Sequence, residues 1–411
     1  MALFCLQMAT YVLPLLTLPY LARILGGQNF GVYAFAFALT QYLSVLTDYG
    51  FNLSATRAVA RSRDDDEQIS SIVSVVYTVK ISLLVVAFAA MVCVVRYVPR
   101  FHEQASVFLA CFLSVIGSVL FPVWYFQGLE RMRHITYLQI FGRLIGTILI
   151  FSFVSRSSDC ALAAALHSSG ALIAGGIALG VIRANGHLRL KLPSREALSA
   201  GVSEGFAVFA TSAMSTALQN GAVVALGFTR DMAIVGSYAA VERVMKAMVF
   251  LFSPLTQAFF PYASKKFAES QQAGARAVVA YARYVVTGAC AVAVITSLLS
   301  RPIVRLLFGE GYVAFHVVLQ VLAVWLVLGV INSFAGVQLL VASGRAATYS
   351  QCFVLSAAAT LILFIVLVPA FSYLGAMTAM TIGEAILTVT MIVAIRRCGI
   401  FAPQPARALH I

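Results

Sequence analysis

Charged side chains are scarce in this chain of 411 residues. Asp, Glu, Lys and Arg together make up only 10% of it, whereas 61% is hydrophobic and the mean hydropathy is +0.93. A soluble domain has about 25% charged residues, so a water-soluble protein of this length could not cover its surface with the charges available. The composition therefore excludes a soluble protein and predicts an all-α protein that crosses a membrane many times.

The chain also lacks the signatures of ATP hydrolysis, zinc proteolysis and cysteine-based metal binding. It contains no GxxxxGK[ST] phosphate loop and no HExxH pair. Its seven cysteines include no CxxC pair, and most lie in or beside apolar runs, so we predict neither a disulfide framework nor a metal site. The net charge of +13 is scattered among hydrophobic segments and does not indicate a nucleic-acid partner. We expect no cofactor.

Long apolar runs predict about twelve transmembrane helices, since a helix needs about 20 apolar residues to cross a bilayer. The predicted spans are 3–24, 31–56, 70–95, 104–127, 135–154, 161–182, 199–226, 233–261, 277–300, 314–342, 350–369 and 374–395. The apolar start continues into a second span after a Gly26-Gly27-Gln28-Asn29 turn, so we expect no cleavable signal peptide. No loop exceeds about sixteen residues, which is too short for a soluble catalytic domain.

The distribution of basic residues predicts the orientation of the spans. The loops that follow the even-numbered spans, together with the C-terminal tail, hold sixteen Lys and Arg, whereas the opposite loops hold six. Cytoplasmic loops of membrane proteins carry the excess of Lys and Arg. Both termini are therefore predicted to face the cytoplasm.

A weak internal repeat suggests that the chain consists of two related halves. Phe30-Gly31-Val32-Tyr33-Ala34 resembles Val235-Gly236-Ser237-Tyr238-Ala239 at an offset of 205 residues, at the same place in each half. Six spans return the chain to its starting side, so the halves would be parallel repeats, as in many transporters. We predict a six-helix bundle with its following loop at 1–198 and a second bundle with the tail at 199–411.

Polar and charged side chains recur at steps of three and four residues within several spans, which places each set on one helical face. Because a charge in hydrocarbon is costly unless it faces a cavity or a partner, we predict that these faces line a shared polar lumen. The candidates for binding a substrate are Arg143, Lys80, Lys246, Arg243, Gln139, Gln41, Asn52, Gln219 and Tyr238. The candidates for binding an ion or a proton are Asp48, Glu204, Glu242 and Glu384.

Several of these charges have a structural alternative. Glu242 and Lys246 form an i, i+4 pair in the favourable order and could neutralise each other. Lys80 could pair with an acid from another span, such as Asp48. Arg143 and Glu204 have no opposite charge within four residues of their own helix, which favours a role in the lumen.

Three segments in the first part of the chain have a distinctive sequence. These segments are Pro14-x-x-Thr17-x-Pro19-Tyr20-Leu21-Ala22-Arg23-x-Leu25-Gly26 with Phe30-Gly31-x-Tyr33, then Asp48-Tyr49-Gly50-Phe51-x-Leu53-Ser54-Ala55-Thr56-Arg57, and Pro122-x-Trp124-x-x-Gln127-Gly128-x-Glu130-x-Met132. They resemble the Wzx-type O-antigen flippases of the multidrug/oligosaccharidyl-lipid/polysaccharide exporter superfamily. Arg23 and Arg57 lie near span ends and could also extend to lipid headgroups.

The resemblance implies a function as well as a fold. It implies two six-helix bundles arranged as a V around a cavity that opens alternately to each side of the bacterial inner membrane. It implies an undecaprenyl-diphosphate-linked oligosaccharide as cargo, membrane lipid as surroundings, and coupling to an inward proton or sodium gradient. A polysaccharide polymerase and a chain-length regulator are the candidate protein partners.

Two other functions remain open at the level of sequence. One is a cation-coupled multidrug exporter or a lipid II flippase of the same superfamily. The other is a membrane enzyme that polymerises or ligates lipid-linked glycans, although the longest predicted periplasmic loop, residues 301–313, contains a single acid, Glu310.

Overall fold

A computed structural model describes residues 2–187 and 193–401, and all of their regular secondary structure is helical. The α-helices are α1 Ala2–Asp48, α2 Phe51–Arg61, α3 Asp66–Tyr97, α4 Pro99–His102, α5 Ala105–Leu120, α6 Val123–Gly128, α7 Met132–Phe153, α8 Cys160–Ala184, α9 Arg195–Thr229, α10 Met232–Phe250, α11 Ser253–Glu269, α12 Gln271–Leu298, α13 Ser300–Phe308, α14 His316–Ser333 and α15 Ala346–Arg397. Short 3₁₀ turns occur at Ser157–Asp159 and Glu310–Phe315, and a π-helix at Phe334–Val341 continues α14. The all-α prediction is confirmed.

The helices follow the predicted spans closely. Eight helical segments in the described ranges are long and apolar enough to cross a membrane, and two of them contain two predicted spans each. In α1 the junction is Gly26, whose φ of 72° and ψ of 167° interrupt the helix at the predicted turn. In α15 the junction is Ser372, three residues after Pro369, with a φ of 58°. The remaining predicted spans, in α9 to α11, are more polar.

Several predicted spans are interrupted in ways that the apolar runs do not show. The span 104–127 divides into α5 and α6 at Phe121 and Pro122, because proline lacks an N–H and holds the preceding residue extended. The span 233–261 divides into α10 and α11, and the span 31–56 ends one helix at Asp48 and begins another at Phe51.

The chain forms two compact units. The first contains residues 1–227 and 231–236, and the second contains residues 228–230 and 237–411. Helix α9 thus packs with the first unit, although it follows the predicted boundary between residues 198 and 199. The predicted repeats, 1–198 and 199–411, therefore do not coincide with the two compact units, and the duplication stays a prediction.

Glycines set the close packing of helices in the first unit. A Cβ atom on Gly142 of α7 would collide with the carbonyl oxygen of Gly170 on α8, and a Cβ on Gly170 would collide with the carbonyl of Gly142. Gly117 of α5 meets Ala171 of α8 in the same way. Small residues allow such backbone contacts, which are a main source of helix association in membranes.

The two glycines that the repeat makes equivalent also touch each other. A Cβ on Gly31 would collide with the carbonyl of Met232 and lie 3.0 Å from the backbone nitrogen of Gly236. A Cβ on Gly236 would lie 2.6 Å from the backbone nitrogen of Gly31. Both glycines belong to the first unit, and the duplication itself stays a prediction.

Candidate functional site

The first unit contains a paired charge at the end of α1. The Nζ atom of Lys80, on α3, lies 3.0 Å from Oδ1 of Asp48. The Lys80 side chain is only 2% exposed, whereas that of Asp48 is 27% exposed. The inter-helix pair is the structural alternative that the sequence left open for these two residues. The ammonium depends on the carboxylate, because a buried charge without a partner is strongly unfavourable.

The second and third resemblance segments fold against each other. Gly128 of α6 lies against Val59 of α2, where a Cβ would come within 2.6 Å of the Val59 Cβ. The buried Trp124 accepts a hydrogen bond from Thr56 through its carbonyl oxygen. These residues therefore have a packing role at the end of the first unit.

Arg63, which follows α2, connects the loop after α2 to the end of α6. Its Nε donates to the Gly128 carbonyl at 2.9 Å, and its Nη2 lies 2.8 Å from Oε1 of Glu130. The hydrogen bond and the charge of Arg63 hold the pKa of the Glu130 carboxyl below its ordinary value. Glu130 is exposed, so the pair is an orienting contact in water and contributes little stability.

The remaining resemblance residues are distributed along the first unit. Gly26 forms the α1 junction, and Gly31 is the close contact described above. Pro19 and Gln127 are partly buried, whereas Arg23 and Arg57 are exposed. Exposed arginines near helix ends agree with the alternative in which they extend to lipid headgroups.

Arg143 lies on the tightly packed part of α7. It is half-buried and lies between Gly142 and Gly146, the two glycines of α7 that face α8. Gln139, one turn earlier, is also partly buried. A guanidinium in this position can form two parallel hydrogen bonds to a phosphate.

The polar face predicted for the second span is not continuous. Gln41 and Asp48 are partly buried on α1, but Asn52 is exposed on α2, beyond the Tyr49–Gly50 break. Tyr49 and Gly50 leave the right-handed helical conformation, so a helical periodicity counted through them does not hold. Gln219 and Glu204, both on α9, are exposed.

In the second unit, α10 carries a buried acid with two partners on its own helix. Oε1 of Glu242 lies 2.9 Å from Nζ of Lys246 and accepts a 3.5 Å hydrogen bond from the hydroxyl of Tyr238. Tyr238 and Glu242 are buried, whereas Arg243 is half-buried. The predicted i, i+4 pair is therefore formed.

Glu384 has a different environment. Its Oε1 accepts a 2.8 Å hydrogen bond from Nδ2 of Asn332, and the indole of Trp325 is a second neutral polar neighbour. Within the described ranges, no Lys, Arg or His lies at ion-pair distance from this carboxylate. Asn332 precedes the π-helix, and its own Oδ1 is buried without a hydrogen-bond partner. Glu384 is thus a membrane-embedded acid held by neutral donors.

Sequence reasoning missed two features of these helices. Asn332 was not singled out, although it directly follows the apolar run 321–331 and its amide fits the same criterion as the other candidates. Residues 201–205 form a GxSxG sequence, but they lie within the continuous helix α9. A serine nucleophile motif requires a sharp strand-to-helix turn, so this sequence does not indicate a hydrolase.

Comparisons with known proteins give a consistent result. A family profile described as "Polysaccharide biosynthesis protein" matches residues 1–267. A "Putative O-antigen transporter" of Escherichia coli (strain K12) is 29% identical over 95% of this chain and 94% of its own length. A protein of the same description from Shigella dysenteriae is 26% identical over 96% of this chain and 98% of its own length.

Solved structures match the fold at low identity. The lipid II flippase MurJ in an inward closed conformation gives a TM-score of 0.76 at 13% identity, over 95% of this chain and 87% of that one. A MATE family multidrug resistance transporter of the MOP superfamily, in an inward-facing conformation, gives 0.72 at 14% identity, over 98% of both chains. These matches confirm the predicted fold.

The asymmetric burial of Asp48 and Lys80 leads to a prediction about stability. We expect Asp48→Asn to lower the free energy of unfolding by about 3–5 kcal/mol, because it leaves a buried ammonium unpaired. Lys80→Met should cost less, since water reaches the remaining carboxylate, and the double variant should resemble Lys80→Met. Thermal unfolding of the detergent-purified variants measures this order. Equal losses for the two single variants would contradict the account.

Proposed function

The chain belongs to the polysaccharide biosynthesis protein family, and we propose on that premise that it flips undecaprenyl-diphosphate-linked O-antigen or polysaccharide repeat units from the cytoplasmic to the periplasmic leaflet. The observation that carries the proposal is the alignment of almost the whole chain with two relatives described as O-antigen transporters. The multidrug and lipid II transporter structures are 13–14% identical and support the shared fold only.

Physical chemistry explains why such a cargo needs a protein with polar groups inside its spans. A sugar hydroxyl or a diphosphate loses its hydration in hydrocarbon, which costs several kcal/mol for each unmatched group. Arg143, Arg243, Lys80 and Lys246 are the candidates for pairing with the diphosphate, Arg in bidentate fashion. The amides and hydroxyls of Gln41, Asn52, Gln139, Gln219 and Tyr238 are candidates for replacing water around the sugars. The polyprenyl tail can remain in lipid.

Among these cations, Arg143 is the one that the proposal assigns to the phosphate. The ammonium groups of Lys80 and Lys246 lie within 3.0 Å of a carboxylate, which reduces their attraction for an anion. Arg143 lies in the middle of α7, and its planar guanidinium offers two parallel donors that match two oxygens of a phosphate, which an ammonium does not.

The protein is a multi-pass transporter of the inner membrane and not a polymerase or ligase of the same glycans, in agreement with its family and relatives. The excess of Lys and Arg in alternate loops supports a topology with both termini in the cytoplasm. Transfer of finished repeat units to the periplasm would supply a polysaccharide polymerase and a chain-length regulator, which we include as proposed partners.

We assign coupling to an inward proton or sodium gradient to Glu384. Asp48 and Glu242 already neutralise Lys80 and Lys246, so binding a cation would compete with an existing ion pair. Glu384 is held by Asn332 and Trp325, which are neutral, and a proton or Na⁺ can therefore be bound there without breaking an ion pair. An adjoining π-helix agrees with this role, because π-helical segments occur often at functional sites.

Deletion of the gene tests the proposed function. The deletion should stop display of O-antigen at the cell surface and leave lipid-linked single repeat units on the cytoplasmic leaflet. Wild-type protein should restore display, Arg143→Ala should not, and Arg143→Lys should restore part of it, because lysine retains the charge without the planar fork. Surface glycan blots and leaflet-specific labelling of the lipid-linked units give the readout.

The same strains separate the proposal from its alternatives. Unpolymerised units on the periplasmic face would indicate a polymerase and contradict a flippase. Full display by an Arg143→Ala variant present at the normal level would contradict the phosphate-binding role. Low abundance of that variant, recovered by removal of an acid on another helix, would indicate a structural ion pair instead.

Glu384→Gln tests the coupling assignment with little change of shape. A glutamine can still accept from Asn332, but it cannot carry the charge or release a proton. We expect this variant to lose O-antigen display at normal membrane abundance. The matched control is Glu310→Gln, which alters an exposed carboxylate paired with Arg305 and should retain display. Full display by Glu384→Gln would show that coupling depends on another group.

A further inference from the structure

The Asp48-Tyr49-Gly50 segment forms a sharp elbow between α1 and α2. Tyr49 has a φ of 47° and Gly50 a φ of 80°, so two successive residues adopt left-handed conformations. Such a conformation is uncommon for a non-glycine residue and indicates a position that the surrounding structure imposes. On one side, the ion pair between Asp48 and Lys80 ties the elbow to α3.

On its other side, the elbow meets α9 through two glycines. A Cβ on Gly50 would lie 2.5 Å from the carbonyl oxygen of Gly205 and 2.8 Å from the Cβ of Val208. A Cβ on Gly205 would lie 2.5 Å from the carbonyl oxygen of Tyr49. Each glycine therefore leaves the space that the opposite backbone occupies, and a methyl group at either position would separate the two segments.

An aromatic stack extends the same contact by one helical turn. The rings of Tyr49 and Phe209 have centroids 5.0 Å apart and planes inclined by 15°. Stacked aromatic rings attract each other beyond the effect of the area that they bury, so this pair favours the contact between the two segments.

The contact between the elbow and α9 differs from the contact between the elbow and α3, which contains the Asp48–Lys80 ion pair. Among the described residues, no hydrogen bond or ion pair joins Tyr49 or Gly50 to residues 201–209. Glu204 and Phe206, which flank Gly205, are exposed. The segment 201–209 is thus held to the elbow by shape and stacking alone, which is the type of contact that can separate and re-form without leaving buried polar groups unpaired.

We propose that the elbow and the segment 201–209 form a clasp that closes the cytoplasmic side of the transporter and separates to admit the cargo. The Asp48–Lys80 pair holds the fixed side, and the first third of α9 is the side that moves. The cytoplasmic location and the cargo rest on the proposed function, whereas the separation itself does not.

Gly205→Ala tests the separation without any cargo. In a cysteine-free background, Val208→Cys reports on the clasp because its side chain lies under Gly50 when the segments touch. In inside-out vesicles, we expect Gly205→Ala to raise labelling of that cysteine by a membrane-impermeant maleimide about fivefold or more, because forced overpacking disfavours the closed contact.

The matched control is Gly201→Ala, one turn earlier on α9. There a Cβ would meet only side-chain atoms, 3.2 Å from Cγ1 of Val75 and 3.9 Å from Cε1 of Phe51, which can adjust. It should leave the labelling rate unchanged. Equal labelling of the Gly205→Ala and Gly201→Ala variants would overturn the clasp.

A cross-link provides a second test that does not depend on the stability of Gly205→Ala. Tyr49→Cys and Phe209→Cys, combined, should be joined by a short thiol-specific cross-linker, and O-antigen display should stop and then recover when the link is reversed. Absence of cross-linking, or full display by the linked protein, would show that the contact is missing or permanent, and either result overturns the proposal.

The two readouts distinguish failure of the clasp from failure of the proposed function. If wild-type protein in the deletion background supports no O-antigen display, and the unlinked cysteine pair supports none either, the proposed function fails. The labelling ratio between Gly205→Ala and Gly201→Ala still decides whether the clasp exists.

Discussion

Contact between backbones, made possible by glycine, is the constraint on which this structure depends. Lipid offers helices no hydrophobic reason to associate, so their packing must come from close approach and from the few polar groups that they share. In the first unit, glycines provide this approach between α7 and α8, between α1 and the start of α10, and between the elbow and α9. The first two contacts hold helical segments together. We propose that the third, between the elbow and α9, separates during transport.

The lipid surroundings also explain why charged side chains inside the helices are paired. An unpaired ion is costly in hydrocarbon, and Lys80 and Lys246 each have a carboxylate within 3.0 Å. Such pairs are neutral and leave little attraction for a coupling ion. Glu384, which is held by the neutral side chains of Asn332 and Trp325, is the acid to which we assign coupling to a proton or Na⁺. The difference between the ion-paired acids and the acid held by neutral side chains is the reason that we assign coupling to Glu384 and not to Asp48 or Glu242.

Much of the fold could be predicted from the sequence because apolar runs and their interruptions are local properties. The α1 junction at Gly26 and the α15 junction at Ser372 lie between spans that the apolar runs already separate. The break at Tyr49 was not, since nothing in an apolar count marks a left-handed residue. The pairing of Lys80 with Asp48 could be named only as an alternative, because it joins different helices, and Asn332 needed the structure to show which acid it faces.

Flipping in a purified system tests the central claim most directly. The protein would be reconstituted into sealed vesicles that contain a fluorescent undecaprenyl-diphosphate-linked oligosaccharide in both leaflets, and a membrane-impermeant quencher would be added outside. The account predicts that an imposed ion gradient makes the inner-leaflet lipid accessible to the quencher, and that the Glu384→Gln protein does not. Inner-leaflet lipid that stays protected with correctly inserted wild-type protein, while a cationic drug is carried instead, would contradict it.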